Sequence, residues 1–275
     1  MPELPEVEVT RRELEPVMLD ARIDRVILHR RDLRDPFPRR FKPRLEGKTV
    51  VALDRRAKYL LVELSSGETL LMHLGMSGSF RIELDEQDPA SPGAGRHDHV
   101  VFQMSSGATV FFNDPRRFGS MDVIPAGRLR EHRSLAALGP EPLSPEFDGQ
   151  ALARACRGRK TSLKVALMDQ RVVAGLGNIY ASEALHLARL SPARRASTIA
   201  TPSGEPRETA HRLAAAIKQV LEEAIARAAG EAYRGSRFRV YDREGARCRR
   251  RGCAGMIRRR TQGGRSTYYC RDCQR

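Results

Sequence analysis

Four cysteines near the carboxyl terminus restrict the folds open to this chain more than any other feature. Cys248 and Cys253 are separated by four residues, Cys270 and Cys273 by two, and sixteen residues lie between the pairs. Thiolates two to four residues apart on tight knuckles can converge on one tetrahedral zinc ion, and the intervening segment can form a hairpin. Four thiolates fill the tetrahedron, so Cys248, Cys253, Cys270 and Cys273 predict one structural Zn2+ and no catalytic metal. Such an ion would supply folding energy that so short and basic a segment cannot draw from a core. Redox or disulfide cysteines are the competing reading, and they suit an oxidising compartment. The opening MPELPEVEV lacks the basic and apolar regions of a secretion signal, so a cytoplasmic protein is expected, with Cys156 as a lone buried thiol.

The formal net charge of +15 points to a polyanionic partner, either nucleic acid or an anionic membrane surface. Its distribution is uneven. From Ala232 to Arg275 there are fourteen arginines and no lysine against Asp242, Glu244 and Asp272. This run is interleaved with Tyr, Phe and Cys, which a merely solvated charged tail would lack. No stretch has the apolar length of a membrane span, so no membrane partner is expected.

Hydrophobic patterning divides the rest. Pro5 is placed to open a helix in which Val7, Leu14 and Met18 share a face, before Pro16 and Asp20 disturb it. Strand-like runs follow at Arg22 to Arg30, Lys48 to Leu53, Tyr59 to Leu64, Thr69 to Leu74, His99 to Met104 and Ala108 to Asn113. Two connections read Ser-Ser-Gly, at Ser65 to Gly67 and Ser105 to Gly107, and predict hairpins. Residues 1–137 are therefore expected to form an antiparallel β-sandwich with flanking helices. The Pro- and Gly-rich stretch 138–149 is the natural linker. Helical patterns at Leu152 to Cys156, Ser162 to Met168, Ile179 to Leu187 and Glu208 to Ala228 place a helical domain over 150–230, and 231–275 forms the cysteine module. The fold class is α+β.

Gly175-Leu176-Gly177-Asn178 opens one of these helices, and free N–H groups at a helix start attract anions. A plain helix cap explains the same residues. The basic neighbours Arg157, Arg159, Lys160 and Lys164 favour a phosphate site, with Asn178 at the turn.

These blocks, taken with Met1-Pro2-Glu3-Leu4-Pro5-Glu6-Val7 at the start, resemble the formamidopyrimidine-DNA glycosylase family. Arg56-Ala57-Lys58-Tyr59, His73-Leu74-Gly75-Met76-Ser77-Gly78, Asp114-Pro115-Arg116-Arg117-Phe118-Gly119 and Gly177-Asn178-Ile179-Tyr180-Ala181-Ser182-Glu183 follow in the family's order, and the likeness spans nearly the whole chain. It implies a β-sandwich, a helix-two-turn-helix domain and a zinc-finger hairpin. It also implies base-excision repair: removal of formamidopyrimidines and 8-oxoguanine from damaged double-stranded DNA, then β,δ-elimination at the abasic site. The protein is expected to act as a monomer, associated with the nucleoid when on DNA.

The chemistry can be argued apart from the resemblance. Removal of Met1, favoured by a small second residue, leaves Pro2 with a terminal secondary amine. A free α-amine titrates near about 8 and Lys near about 10.4, so more of the former is neutral and nucleophilic in the cell. Attack on the sugar C1′ expels the base and leaves an iminium, which acidifies the C2′ proton and makes elimination of the flanking phosphates feasible.

By resemblance, Glu3 is the proton donor and acceptor beside Pro2, and Glu6 orients the site or stabilises the helix start. Lys58 is the proton donor of the first elimination, and Arg265 binds the flanking phosphate and assists the second. A nucleotide must leave the stack to be processed, at a cost of a few kcal/mol. Met76, Arg116 and Phe118 match the residues that fill the gap, although Met76 and Phe118 could equally belong to a core. His97 and Lys160 match further DNA-contacting positions. His97 and His99 lack a third metal ligand, so hydrogen bonding is the simpler reading of that pair.

Two departures from the family pattern stand out. The first cysteine knuckle has four intervening residues instead of two. The segment Gly230 to Val240 is shorter than the loop that caps a flipped 8-oxoguanine, which predicts weaker hold on that lesion than on ring-opened purines. The competing functions are an endonuclease VIII-type enzyme for oxidised pyrimidines, a zinc-dependent DNA-binding protein without catalysis, and an RNA-binding protein. Leu4 and the Met76, Arg116, Phe118 set favour the purine enzyme, and RNA binding leaves the amino-terminal motif unexplained.

Overall fold

The computed structural model describes residues 2–84, 95–228 and 238–275. The chain divides into two compact units, Met1–Ala136 and Ala137–Arg275. Most of the short segment from Gly230 to Val240, residues 230–237, lies outside the described residues.

The first unit opens with α1 (Leu4–Met18). Leu4, Val7, Leu14 and Met18 fall on its buried face, the 3.6-residue pattern of an amphipathic helix. Its start is a reciprocal capping box: the Glu3 side chain meets the backbone N–H of Glu6, and the Glu6 carboxylate accepts from the backbone N–H of Glu3 at 2.7 Å. Each such cap contributes about 1 kcal/mol by satisfying orphan donors. Contrary to the sequence expectation, Pro16 does not end the helix. It lies one turn from the carboxyl end with both it and Arg12 exposed, so water can take the carbonyl that Pro16 cannot bond.

Two antiparallel four-stranded sheets follow, in the orders β1-β6-β7-β5 and β2-β3-β4-β8. The first holds β1 (Ile23–Leu28), β5 (Ser79–Leu84), β6 (Asp98–Met104) and β7 (Ala108–Asn113). The second holds β2 (Val50–Arg56), β3 (Tyr59–Leu64), β4 (Thr69–His73) and β8 (Ser120–Ile124), with α2 (Phe41–Leu45) between β1 and β2. Val26, Val100, Phe102, Val110 and Phe112 from one sheet and Leu60, Val62, Leu70, Met72 and Val123 from the other form one core. Both Ser-Ser-Gly turns are hairpins as expected, β3 to β4 and β6 to β7, with Gly67 and Gly107 at φ +79° and +81°, a region that favours glycine.

The second unit contains α3 (Gly149–Cys156), α4 (Leu163–Met168), α5 (Asn178–Leu187) and α6 (Glu208–Ala228). Asp148 caps α3, accepting from Ala151 N at 2.7 Å. The Leu213, Ile217, Val220, Leu221, Ala224 and Ile225 stripe of α6 is buried, and α6 packs on α3 and α5. The chain ends in the hairpin β9 (Ile257–Gln262) and β10 (Arg265–Cys270). Gly263 and Gly264, at φ +55° and +71°, make its two-residue turn, and paired left-handed residues match the twist of the flanking strands.

Phe112 is fully buried, and its ring lies 5.2 Å from that of Phe80. Phe112→Ala is therefore expected to lower stability by about 3–5 kcal/mol, read from the midpoint of urea unfolding at unchanged slope.

Candidate active site and metal centre

Pro2, Glu3 and Glu6 sit together at the start of α1. Glu3 is 2 % exposed although it carries a carboxylate. Lys58 is 8 % exposed and lies in the two-residue turn joining β2 to β3, after Ala57 at φ +55°. A non-glycine residue in this left-handed region is strained by about 1 kcal/mol, so the surroundings must hold the turn.

Glu8, which the sequence did not single out, contributes to that hold. Its carboxylate accepts from Arg55 Nε at 3.1 Å, from Arg12 Nε at 2.9 Å and from Arg11 Nη2 at 3.2 Å. Burial opposes its charge, but the bonds from Arg11 and Arg12 outweigh it and keep the carboxyl below its usual range. Arg55 also donates to the Ala57 carbonyl at 3.2 Å, and Arg11 to that of Leu53 at 3.1 Å. The first turns of α1 are thereby tied to the turn that carries Lys58.

His73 is the other unforeseen group. Its ring packs on Tyr59 with centroids 4.8 Å apart, and Nδ1 accepts from Gly75 N at 2.9 Å. Burial first, then the charges of Lys58 and Arg34, lower its pKa from 6.5 to about 4. The imidazole is neutral near pH 7, with its proton on Nε2.

Met76 lies in a loop locked against the Arg116–Phe118 loop. A Cβ on Gly75, itself at φ +63°, would stand 2.2 Å from the Phe118 carbonyl carbon, so only glycine fits. Ser77 Oγ donates to Asp114 Oδ1 at 2.6 Å and accepts from Arg116 N at 3.1 Å. The fully buried Asp114 also accepts from Gly119 N at 2.8 Å, and its carbonyl bonds His99 Nε2 at 2.9 Å. Arg116 and Phe118 remain exposed, the guanidinium 4.9 Å over the ring, and Phe118 is 44 % exposed. Phe118 thus lies outside the core, while Met76 is half-buried. The half-buried His97 meets His99 edge to face, and its carbonyl accepts from Asp114 N.

In the second unit, the Gly175 to Asn178 turn is braced by Gln170, which bonds Gly175 N at 2.9 Å and the Leu176 carbonyl at 2.8 Å. Lys160 and Arg157 are exposed. Arg159 is paired with Asp169 at 3.0 Å. The Arg171 side chain, also on Asp169, does most to take that carboxyl down to about 2.

The expectation of DNA contact at Lys164 needs correction: it has 0 % exposure, so it presents no surface to a phosphate. Its ammonium donates to Asn178 Oδ1, and Asn178 Nδ2 donates to the Ser266 carbonyl at 3.0 Å. Lys164 and Asn178 therefore fasten the turn to the hairpin residue beside Arg265, which is exposed at the hairpin tip.

The four terminal cysteines converge. Their sulfurs lie within 4.8 Å of one another, with Cys248 to Cys273 at 3.9 Å and Cys253 to Cys270 at 3.7 Å. Sulfurs about 2.3 Å from a tetrahedral zinc stand about 3.8 Å apart, so the spacing suits that ion and is too long for disulfides. The larger first knuckle closes through Cys253 N on the Arg250 carbonyl at 3.0 Å. Cys156 is buried apart from this cluster, and burial pushes its thiol up to about 11.

A proline-led helix beside a β-sandwich, with a helical unit ending in a four-cysteine hairpin, is the architecture these observations define. Residues 1–121 match the formamidopyrimidine-DNA glycosylase N-terminal domain and residues 138–234 the H2TH domain of the same enzymes. A formamidopyrimidine-DNA glycosylase from Bradyrhizobium sp. (strain BTAi1) is 56 % identical over 295 aligned positions covering all of both chains. The crystal structure of the MutM (Fpg) protein from Thermus thermophilus superposes with a TM-score of 0.83 at 38 % identity, covering 99 % of this chain and 98 % of that one. A MutM structure in complex with DNA containing carbocyclic 8-oxo-G gives 0.84 at 31 % identity over all of both chains. This chain belongs to the formamidopyrimidine-DNA glycosylase family.

Protonating His73 would set an N–H against that of Gly75. Because its folded pKa lies below the unfolded value, the unfolded chain binds more protons between pH 6.5 and about 4. Stability is expected to fall as pH drops through that window. His73→Gln should show a shallower loss in urea unfolding measured at each pH, and identical slopes would contradict this account.

Proposed function

We propose that this chain excises oxidised and ring-opened purines, formamidopyrimidines and 8-oxoguanine, from duplex DNA, and then cleaves the backbone at the abasic site through a Schiff base on Pro2. The observation that carries the reading is the setting of residue 2. The adjacent carboxylate, Glu3, is almost wholly buried, and Lys58, also buried, sits in a turn tied to the same helix. Full-length likeness to named glycosylases and to a DNA-bound 8-oxo-G complex supports the substrate class.

With Met1 present, Pro2 nitrogen is an amide and inert. Once freed, its lone pair attacks C1′, the glycosidic bond breaks with its electrons going to the base, which takes a proton from water, and the proton on the attacking nitrogen passes to Glu3. Glu3 then protonates the ring oxygen as the sugar opens, leaving an iminium between Pro2 and C1′. Loss of the C2′ proton expels the 3′ phosphate, with Lys58 as proton donor, and a second elimination expels the 5′ phosphate, assisted by Arg265. Hydrolysis of the remaining iminium frees Pro2. Glu6 keeps the Glu3 backbone fixed through the capping box.

Met76, Arg116 and Phe118 fill the space left by the extruded nucleotide, the guanidinium facing the orphaned base. His97, Lys160 and Asn178 contact the DNA backbone. Cys248, Cys253, Cys270 and Cys273 hold one zinc ion, which when bound fixes the hairpin that carries Arg265 and takes no part in the chemistry. Among the described residues no helix is long and apolar enough to cross a membrane, and the expected site of action is the cytoplasm.

Borohydride added during reaction with a lesion-containing duplex is expected to trap a covalent adduct on gels. The same protein carrying an uncleaved amino-terminal extension should trap none. An adduct of equal yield from the extended protein would overturn the role of Pro2, and absence of any adduct would favour a DNA-binding protein without catalysis.

The same binding should weaken steeply with salt, since phosphate contacts release counterions. Lys160→Ala is expected to reduce the slope of log K against log salt by about 1, measured by fluorescence anisotropy on an abasic-analogue duplex; an unchanged slope would remove Lys160 from the interface.

A further inference from the structure

His186 stands in the last turn of α5, 2 % exposed, with Nε2 3.3 Å from Cys248 Sγ. Its Nδ1 is buried without a hydrogen-bond partner among the described residues. That asymmetry fixes the tautomer. A proton on Nδ1 would bury an unpaired donor and turn the Nε2 lone pair toward sulfur lone pairs, whereas a proton on Nε2 points a donor at Cys248 and leaves only an acceptor unmet.

We propose that His186 is a positioning residue of the metal centre, donating its Nε2–H to the Cys248 thiolate and so fastening α5 to the cysteine hairpin. The inference rests on the reading of the four cysteines as a zinc site. Four thiolates around one divalent ion carry a net charge of about −2, which is costly in a buried place. A donor on one sulfur withdraws part of that charge.

A second cation serves the same end. Arg250 donates Nη2 to the His186 carbonyl and, at 3.3 Å, to that of Leu187, and its side chain also bonds Cys273. Arg250 lies inside the four-residue first knuckle, so this knuckle reaches the carboxyl end of α5. At its other end α5 carries Asn178, bonded to the hairpin beside Arg265. One helix thus braces the first cysteine knuckle and the tip of the hairpin, and loss of the His186 bond is expected to loosen metal retention without touching any reacting group.

The test uses the full-length protein. Zinc transfer to a colorimetric chelator is timed for wild type, H186F and H186Q, and the sulfur-to-metal charge-transfer band is recorded after Co2+ substitution. H186F is expected to release zinc about 10-fold faster and to shift the band to lower energy. H186Q, which restores an N–H donor, should return both toward wild type.

A measurement on wild type needs no variant. In 113Cd-substituted protein, the His186 Nε2–H proton is expected to show scalar coupling to cadmium through the Cys248 sulfur. Metal bound without that coupling, or H186Q as defective as H186F, overturns the assignment alone. Failure to bind stoichiometric metal overturns the zinc reading and this assignment with it.

Discussion

The carboxylate of Glu8 and the guanidiniums of Arg11, Arg12 and Arg55 form the contact on which the rest of the site depends. A half-buried carboxylate is costly on its own, and breaking such a network strands charge away from water. Arg55 reaches on to the Ala57 carbonyl, so the network transmits position from the helix to a strained turn and to the ammonium it carries. The capping box supplies a further constraint, because it fixes the backbone one residue after the nitrogen proposed to react. A terminal nucleophile is otherwise the least ordered part of a chain, and a misplacement of about 1 Å can cost about 100-fold in rate.

Asp114 does for the Met76 and Arg116–Phe118 loops, proposed to fill the gap, what Glu8 does for the proposed nucleophile. It is buried and bonded by Ser77, Gly119 and, through its carbonyl, His99. Exposed Phe118 and Arg116 are thus carried on braced backbone, which lowers the ordering entropy that their proposed contact with DNA would cost. In the second unit the supports are Gln170 under the glycine turn and Lys164 with Asn178 against the hairpin. The pattern is common to both units: exposed groups of one charge or shape, each held by a buried polar partner.

Elements were legible in the sequence where periodicity and turn chemistry agreed. The Ser-Ser-Gly hairpins and α6 are examples, and the six strand runs lie within a few residues of their observed limits. β5 and β8 were not read. Ser79 to Leu84 carries Arg81 and Glu83, and Ser120 to Ile124 has five residues, too few for alternation to stand out. The cysteine cluster was legible from spacing alone.

The supporting partners were not legible, because they join residues far apart in sequence. Glu8 and Arg55 are 47 positions apart, His186 and Cys248 62. Lys164 shows the limit of reading charge as surface: the residue type suggested a phosphate contact, and tertiary packing made it an internal tie. Glu183 is a similar case, buried and accepting from the backbone N–H groups of Arg239, Val240 and Tyr241, where the motif alone showed only a family block.

The claim that unites these parts is that the nitrogen of residue 2 becomes covalently bound to the sugar. Peptide mapping by mass spectrometry of the borohydride-reduced adduct tests it directly. The account predicts the sugar remnant on the amino-terminal peptide, attached at Pro2 with Met1 absent. A remnant on the peptide containing Lys58, or on a peptide that retains Met1, would contradict it.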